Sequence, residues 1–183
     1  MKGIRRLVHL RRTVSTQTYA RRLADRGAEA WTVVRADRQT RGRGRMERRW
    51  SSGAGGLFFS VILRPRMKPS RLPRMSLQAG RACAAALRSA TGLDIRIKPP
   101  NDILARRARD EPFRKVCGIL IEASGTSREI HWVVVGIGVN VSNRIPRLLP
   151  HAASLASLTG RRPCPEAILR KLVRELRRIW KDA

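Results

Sequence analysis

The apolar positions in the first half of the chain predict two strands and two helices. Residues 31–36 and 57–63 are runs of mostly apolar, β-branched and aromatic residues, which are typical of strands. The second run is apolar enough to lie in the centre of a sheet. A Ser or Thr cap precedes a predicted helix over 17–27, and a second predicted helix over 75–90 stops at Gly92. This alternation indicates an α/β chain.

The second half of the chain predicts three more strands and contains no internal repeat. Ile95 to Lys98 begins a strand that Pro99-Pro100 interrupts, because proline cannot donate to the hydrogen-bond ladder of a sheet. An exposed loop is predicted from Ala105 to Arg114. Two further strands are predicted over 116–123 and 130–139, joined by a turn that contains serine and glycine.

The last forty residues are predicted to be helical. Pro165 and Glu166 open a helix, since proline is favoured at the first helical position. One side of this helix is an apolar stripe, which we interpret as core or interface rather than as a ligand site. The stripe consists of Ile168, Leu169, Leu172, Val173, Leu176, Ile179 and Trp180.

Length and composition favour a single folded domain in the cytoplasm. The chain has 183 residues, which suffices for one well-buried core but is short for two. Its 42% hydrophobic and 29% charged residues exclude a disordered tail and a membrane-spanning protein. The first fifteen residues are basic but lack a long apolar stretch, so a secretory signal is not predicted.

The net charge of +27 comes from 40 basic and 13 acidic residues. Only six of the basic residues are lysines, so arginine is used wherever a general positive charge suffices. This bias makes binding to polyanions a general property of the chain, and the 4% aromatic content leaves few rings for stacking on bases. A retained lysine then indicates a need for a compact point charge, and Lys98 and Lys115 lie in the motifs below.

Cysteines and histidines exclude several kinds of chemistry. Three cysteines and three histidines are scattered along the chain, with no spacing typical of a zinc site, a disulfide framework or a serine-type triad. Metal hydrolysis and serine-type catalysis are therefore not indicated. The cysteines, which we expect to be small buried hydrophobic residues, are Cys83, Cys117 and Cys164.

A basic segment from Arg35 to Trp50 is the first candidate for chemistry. It has seven arginines against two acidic residues, a density that predicts a solvated loop. Gly42 and Gly44 alternate with Arg43 and Arg45, so the loop can bend closely around an anion that the guanidinium groups hold through paired hydrogen bonds. By itself the segment also fits a solvated charge run or an RNA-binding Arg-Gly patch.

Three shorter segments carry further candidate residues. Lys98-Pro99-Pro100-Asn101-Asp102 puts a cation, an amide and a carboxylate at a strand end, where they suit a nucleotide phosphate, its metal ion and a ribose or base edge. Lys115 precedes an apolar strand in which Gly118 permits close approach. Gly136-Ile137-Gly138-Val139-Asn140 closes a strand but lacks the third glycine of a dinucleotide-binding fingerprint and the Gly-Lys-Ser/Thr of a phosphate loop.

Six motifs occur in one unbroken order: Ser15-Thr16-Gln17, Gln39-Thr40-Arg41-Gly42-Arg43-Gly44-Arg45, Trp50-Ser51-Ser52, Lys98-Pro99-Pro100-Asn101-Asp102, Lys115-Val116-Cys117-Gly118-Ile119-Leu120-Ile121-Glu122 and Gly136-Ile137-Gly138-Val139-Asn140. Together they resemble the biotin protein ligase catalytic domain from about Val14 to Asn143. The resemblance implies an α/β (α+β) fold of the class II aminoacyl-tRNA synthetase-like type, with a mixed central β-sheet flanked by helices. It also implies activation of biotin with ATP and Mg²⁺ to biotinyl-5′-AMP, then transfer to a lysine of the biotin carboxyl carrier protein of acetyl-CoA carboxylase.

The resemblance implies a role for each matched residue. Catalytic roles fall to Lys115, Arg43 and Asp102, and Asp102 would also contact Mg²⁺. The implied biotin-binding residues are Ser15, Thr16, Gln17, Gln39, Gly42, Arg43, Gly44, Arg45, Lys115 and Gly118. The implied ATP-binding residues are Arg43, Arg45, Trp50, Lys98, Asn101 and Asn140.

The chain departs from the family pattern in three places. Pro99 stands where the family usually has tryptophan, and the small C-terminal β-barrel common in the family is expected to be missing. Nothing before Ser15 is large enough for the DNA-binding module of repressor-type members, so specific DNA binding is not expected. The resemblance leaves homodimer formation open. Two alternatives stay open as well: lipoate or octanoate transfer on the same fold, and a non-catalytic basic protein that binds polyanions.

Overall fold

The computed structural model describes residues 4–181, which build one seven-stranded sheet with helices on both faces. The elements in chain order are β1 (Arg6–Thr13), α1 (Thr16–Asp25), β2 (Thr32–Gln39), β3 (Gly42–Arg43), β4 (Arg49–Trp50), β5 (Leu57–Leu63), α2 (Leu72–Thr91), β6 (Asp94–Lys98), β7 (Asp102–Arg106), β8 (Arg114–Gly125), β9 (Ile130–Val139), α3 (Leu155–Thr159) and α4 (Pro165–Ile179). The strand order is β1-β2-β5-β9-β8-β7-β6. The β1–β2 pair is parallel and the other pairs are antiparallel, while β3 and β4 form a separate hairpin.

The two faces of the sheet are covered to different extents. Helices α2 and α4 pack against the face that carries Phe59 and Val135 and form the larger core. Helix α1 packs against Val34, Ile62 and Val134 on the opposite face and buries a smaller cluster. Because side chains alternate along a strand, Ser60 lies on the same face as Ile62. Since α1 buries only the smaller cluster, this face of the sheet leaves room for a cavity beside the helix, and Ser60 lines it.

The predicted fold class is confirmed, and most predicted elements are present. Strand β5 coincides with the predicted run and is buried at every position, as expected for an interior strand. The predicted helices correspond to α1, α2 and α4, and Gly92 ends α2 with a φ of 73°. The prediction that the last forty residues are helical is wrong for residues 144–154 and 160–164, which form loops on either side of α3. The apolar stripe of α4 is core: Ile168, Leu169, Leu172, Val173, Leu176 and Trp180 are buried, and Ile179 packs against them.

Two strands of the sheet were not predicted: β1 at one edge, and β7, which lies between β8 and the other edge strand β6. Strand β1 is rich in arginine because it lies at an edge, where charged side chains can face water on the open side. Strand β7 follows the proline pair after a short turn, so the predicted exposed loop is wrong at its start. Ala105 is fully buried within β7, and the loop itself begins after Arg106. Strand β9 has the predicted bounds, whereas β8 is two residues longer at each end than predicted and includes the serine and glycine of the predicted turn.

The prediction of a solvated loop over residues 35–50 is wrong for its first part. Strand β2 continues to Gln39 because it pairs in parallel with β1 along its whole length. Arg35 is only 11% exposed, and its Nη2 lies 2.7 Å from Oε1 of Glu166 at the start of α4. The rest of the segment carries the short hairpin of β3 and β4. We call residues 41–50 the flap.

The cysteines differ from the prediction at one position. Cys83 and Cys117 are buried as expected, but Cys164 is exposed at the N-terminal end of α4, so the prediction is wrong there. A hydrogen bond with Cys83 and burial raise the pKa of the Cys117 thiol well above its usual value. Cys117 therefore stays protonated and is not a nucleophile. Among residues 4–181, no helix is both long and apolar enough to cross a membrane.

The pair of Arg35 and Glu166 predicts an acid-sensitive contribution to stability. The hydrogen bond from Arg35 lowers the pKa of Glu166 from 4.5 to about 2. A lowered pKa in the folded state stabilises the protein above pH 4.5, and this stabilisation is lost as the pH falls towards 2. Since the Glu166 side chain is 47% exposed, we expect Glu166→Gln to cost only about 1 kcal/mol at neutral pH.

Urea unfolding of wild type and Glu166→Gln at several pH values checks this prediction. The difference between their free energies of unfolding should shrink as the pH falls below 4.5. Glu29→Gln removes a more exposed ion pair with Arg5 and serves as the control, with little effect at any pH. A Glu166→Gln deficit that is the same at pH 7 and near pH 2 would contradict the assignment.

Candidate active site

A cavity of about 640 Å³ opens on the face of the sheet that carries α1. The start of α1, the flap, the Lys98–Asp102 segment, strands β8 and β9, and the loop after β9 all contribute to its walls. The structure therefore brings the six motifs together around one space. The implied site residues that line it are Ser15, Thr16, Gln17, Gln39, Arg43, Gly44, Arg45, Trp50, Lys98, Asn101, Asp102, Lys115, Gly118 and Asn140.

One end of the cavity is a network of buried polar side chains. Gln39 at the end of β2 accepts hydrogen bonds at Oε1 from Thr16 N at 2.7 Å and from Thr16 Oγ1 at 3.2 Å. Ser60 donates from Oγ to Oε1 of Gln17 at 3.0 Å. Ser15 is 1% exposed, and its Oγ has no hydrogen-bond partner within residues 4–181. A buried hydroxyl of this kind suits a polar ligand group that completes its hydrogen bonding.

The floor of the cavity consists of two glycines that face each other across β8 and β9. Gly118 and Gly138 are register partners, and the indole ring of Trp50 lies over both. A Cβ atom at Gly118 would come within 2.7 Å of Trp50 Cζ3, and one at Gly138 within 2.5 Å of Trp50 Nε1. Only glycine leaves room for a flat ring at this distance from the strands. The floor therefore fits an apolar, ring-containing group beside the indole.

The other end of the cavity is strongly cationic. Lys115 Nζ lies 2.7 Å from Asp102 Oδ1 and 5.2 Å from the centre of the Trp50 ring. Asp102 is the one carboxylate among the described residues of the lining. Such an excess of positive charge in a concave site favours anions such as phosphate and carboxylate groups. The cationic lining residues are Arg43, Arg45, Arg48, Arg49, Lys98 and Lys115.

Backbone hydrogen bonds fix the position of Lys115. Its N–H donates to His151 O at 2.7 Å, and its carbonyl accepts from Ala153 N at 3.0 Å. The loop that follows β9 is thereby joined to the first residues of β8. This loop also places Pro146 and Leu149 in the cavity wall. These two hydrogen bonds fix the backbone from which the side chain of Lys115 extends into the cavity.

Two asparagines lie on the side that the resemblance implies for the nucleotide. Asn101 donates from Nδ2 to Ile119 O at 3.0 Å, and its Oδ1 is 3.5 Å from Nη1 of Arg45. Asn140 is buried, and its Oδ1 accepts a hydrogen bond from Asn143 Nδ2 at 3.2 Å. With its oxygen engaged in this way, Asn140 can turn its amide N–H groups towards a ligand acceptor.

Gly42 and Arg43 are positioned differently from the other implied site residues. Gly42 does not line the cavity: a Cβ atom at this position would meet Ser52 Oγ at 2.5 Å and Trp50 O at 2.6 Å. It therefore allows close packing at the base of the flap. Arg43 borders the cavity, but its guanidinium group forms an ion pair with Glu122 of β8, with Nη2 2.9 Å from Oε1.

Ser60 and Pro99 line the cavity, although the sequence analysis assigned neither of them a role in the site. Ser60 lies in the buried β5 and lines the cavity, and it is the single polar residue of the run LFFSVIL. That isolated hydroxyl in a buried strand was the signal that could have identified it. Pro99 lines the cavity at the position where the family usually has tryptophan, so it supplies an apolar wall without an aromatic ring. Glu122 lies just outside the lining and contacts the flap, a position that its motif does not predict.

Comparison with known proteins shows the family of the chain. A model described as the biotin/lipoate A/B protein ligase family matches residues 9–140. The chain is 39% identical to the bifunctional ligase/repressor BirA of Bacillus subtilis over 152 residues, which cover 80% of this chain and 45% of that protein. It is 34% identical to the biotin--[acetyl-CoA-carboxylase] ligase of Mycobacterium tuberculosis, covering 99% of this chain and 67% of that protein.

A solved structure gives the same result for the fold. The biotin protein ligase from Aquifex aeolicus in complex with biotin and ATP superposes with a TM-score of 0.79 at 32% identity, covering 97% of this chain and 71% of that chain. The chain belongs to the biotin/lipoate A/B protein ligase family. It spans 45% of the length of the Bacillus subtilis relative.

Proposed function

We propose that the chain is a biotin protein ligase that activates biotin with ATP and transfers it to a lysine of a carrier protein. The observation that carries the proposal is the meeting of Lys115 and the arginines of the flap in one cavity, with a buried polar network at its other end. A bicyclic acid such as biotin needs both ends, because its ureido head is polar and its carboxylate is anionic. The complex of the Aquifex aeolicus relative with biotin and ATP supports the same substrates.

The polar network suits the ureido head of biotin. That head has both N–H donors and a carbonyl acceptor, and the unpartnered Ser15 Oγ can donate or accept. Gln39 already holds Thr16, so the two side chains present fixed groups to the ligand. The glycine floor and Trp50 then suit the apolar ring and valeryl chain. We assign biotin recognition to these two adjoining surfaces.

In the first half-reaction the biotin carboxylate attacks the α-phosphorus of ATP. A bond forms between a carboxylate oxygen and the α-phosphorus. The bond from the α-phosphorus to the oxygen that bridges it to the β-phosphorus breaks, and pyrophosphate leaves with that electron pair. No general base is needed because the carboxylate is already ionised. Lys115 is placed to offset the negative charge where carboxylate and phosphate oxygens crowd together. Arg45, Lys98, Asn101 and Asn140 are the groups we assign to the nucleotide.

Magnesium fits this site as an ion that arrives with ATP. Residues 4–181 contain no group of three or more His, Cys, Asp or Glu side chains that could hold a metal by themselves. Asp102 supplies one carboxylate to the cavity, which matches the one or two protein carboxylates that commonly hold magnesium together with substrate phosphates. The ion would supply positive charge to the leaving pyrophosphate. Asp102 is the residue that would contact it.

In the second half-reaction the amine of the carrier lysine attacks the carbonyl carbon of the adenylate. An amide bond forms, and AMP leaves with the electrons of the broken carbon-to-oxygen bond. The attacking amine must lose a proton, and we assign its acceptance to Asp102, which lies beside Lys115. The carrier would be the biotin carboxyl carrier protein of acetyl-CoA carboxylase, as the name of the Mycobacterium tuberculosis relative suggests.

The net charge of +27 favours encounter with an acidic carrier domain. We assign the charge to that encounter and to general attraction of polyanions, and not to recognition of a specific DNA sequence. The proposed reaction consumes ATP and modifies a carboxylase subunit, so we place it in the cytoplasm. We propose residues 1–183 as one catalytic domain.

Adenylate formation with three competing acids tests the proposed function. The chain is incubated with ATP labelled at the α-phosphate and with biotin, lipoate or octanoate. We expect a labelled adenylate with biotin and little with the other two acids, because the polar network matches a ureido head better than an alkyl chain. If the adenylate forms with lipoate or octanoate in preference to biotin, the result would contradict the proposal and support lipoate or octanoate transfer instead. No adenylate with any acid would contradict it.

A further inference from the structure

Glu122 connects three parts of the molecule at one edge of the cavity. Its carboxylate receives Arg43 of the flap through two contacts, Nη1 to Oε2 at 3.1 Å and Nη2 to Oε1 at 2.9 Å. It also receives Arg21 of α1, with Nη1 3.2 Å from Oε1. The side chain of Glu122 is 21% exposed, so water screens these contacts only in part. A single carboxylate therefore joins the flap and α1 to strand β8.

The position of Glu122 along β8 explains this arrangement. Side chains alternate along a strand, so Gly118, Leu120 and Glu122 point to the same face. Gly118 is part of the cavity floor and Leu120 lines the wall, and Glu122 continues this row beyond the lining. The flap passes over the row, and Arg43 reaches down to its last member. Closure of the flap thus ends on a charged contact outside the substrate space.

Removing the charge of Glu122 would reverse the interaction between the flap and α1. Arg43 and Arg21 both contact the same carboxylate, so without it two guanidinium groups face each other with like charge. Both guanidinium groups lie within 3.2 Å of the same carboxylate oxygen, so they are close enough to repel each other. This repulsion would push the flap away from the sheet.

We propose that Glu122 is the positioning residue that holds the flap over the cavity, and that Arg43 is its anchor and not a ligand of the substrate. Nη1 and Nη2 of Arg43 both contact the Glu122 carboxylate, whereas Arg45 has only a 3.5 Å contact with Asn101 Oδ1. Arg45 therefore stays available to an anion in the cavity. Retention of an adenylate under the flap rests on the proposed function; the closure of the flap itself does not.

Limited trypsin digestion in the absence of any ligand tests the closure. The flap contains several arginines that trypsin recognises, and mass spectrometry separates cuts within residues 41–49 from cuts elsewhere. We expect Glu122→Gln to be cut there about fivefold faster than wild type, as befits a partly exposed ion pair. Arg43→Gln should show the same increase at the remaining sites. The double variant should be no worse than either single variant, because both remove one interaction.

Two further variants separate positioning from a general loss of stability. Glu111→Gln removes a carboxylate of similar exposure that pairs with Arg107 in a surface loop, and it should leave flap cleavage unchanged. Arg21→Ala removes one arm of the contact but leaves the paired contacts to Arg43, so its effect should be smaller than that of Glu122→Gln. Equal flap cleavage in wild type and Glu122→Gln would overturn the proposal. So would faster cleavage of Glu122→Gln at sites throughout the chain.

A ligase readout tests the role assigned to Arg43. Glu122→Gln should release about fivefold more biotinyl-adenylate into solution while keeping biotin-dependent pyrophosphate release near the wild-type rate, and Arg43→Gln should release a similar excess of adenylate. A loss of pyrophosphate release in Arg43→Gln as deep as that in Lys115→Ala would show that Arg43 binds the reacting groups and would overturn the proposal. If wild type forms no adenylate, the proposed function fails, while the trypsin result still decides the role of Glu122.

Discussion

Replacing Lys115 with alanine is expected to lower biotin-dependent pyrophosphate release by about 1000-fold, the size of effect seen when one preorganised group that stabilises charge is removed. The backbone of Lys115 is held by hydrogen bonds on both sides, and its ammonium nitrogen lies 2.7 Å from Asp102 Oδ1. Its removal would leave the Asp102 carboxylate next to the crowded oxyanions, which adds repulsion to the lost attraction. The measurement is pyrophosphate release with and without biotin.

Two lysine variants serve as controls for this prediction. Lys115→Arg keeps the charge but replaces a compact ammonium group with a planar fork, so we expect it to restore little activity. Lys171→Ala removes a lysine of α4 that donates to Ser89 O at 3.0 Å, away from the cavity, and it should keep full activity. Near-normal pyrophosphate release by folded Lys115→Ala would contradict the mechanism.

Replacing Gly138 with alanine is expected to weaken biotin binding by roughly 30-fold, which corresponds to about 2 kcal/mol for overpacking a tight contact. The new methyl group would lie 2.5 Å from Trp50 Nε1, so the indole ring must move into the space that we assign to biotin. We expect the substitution to change the shape of the cavity and not the packing of the core, because the indole ring that must move belongs to the flap. Isothermal titration calorimetry with biotin measures the change.

Gly53→Ala is the matched control for the glycine floor. A Cβ atom at Gly53 would have no neighbour within 4 Å, so this variant should bind biotin like wild type. Gly118→Ala should resemble Gly138→Ala, because the two glycines lie under the same ring. Wild-type affinity in both floor variants would show that the ring of Trp50 does not define the biotin space.

The sequence predicted those parts of the fold in which local pattern and burial agree. Strand β5 is apolar at nearly every position and is interior, and α4 carries a stripe that the core then covers. Strand β1 has the opposite character, because three of its eight residues are arginines and one of its edges is open. Its identity depends on parallel pairing with β2, a contact that no local pattern reveals.

The candidate site could be predicted as a set of residues but not as a set of contacts. Gly118 and Lys115 were recognisable because few residue types can serve a close approach or a point charge, whereas Gly138 was given no role although it also lines the cavity. The partner of Arg43 was not, since Glu122 lies 79 positions away and the sequence contains other acidic residues. Gly42 and Gly44 look equivalent in the sequence, yet only Gly44 lines the cavity.

A crystal structure of the chain with a non-hydrolysable analogue of biotinyl-adenylate tests the central claim most directly. We predict that the Lys115 ammonium group and the Arg45 guanidinium group lie about 3 Å from the oxygens at the acyl-phosphate position, and that the ureido head contacts Ser15. Arg43 should still contact Glu122. An analogue bound with its phosphate mimic far from Lys115, or bound outside the cavity beneath the flap, would contradict the account.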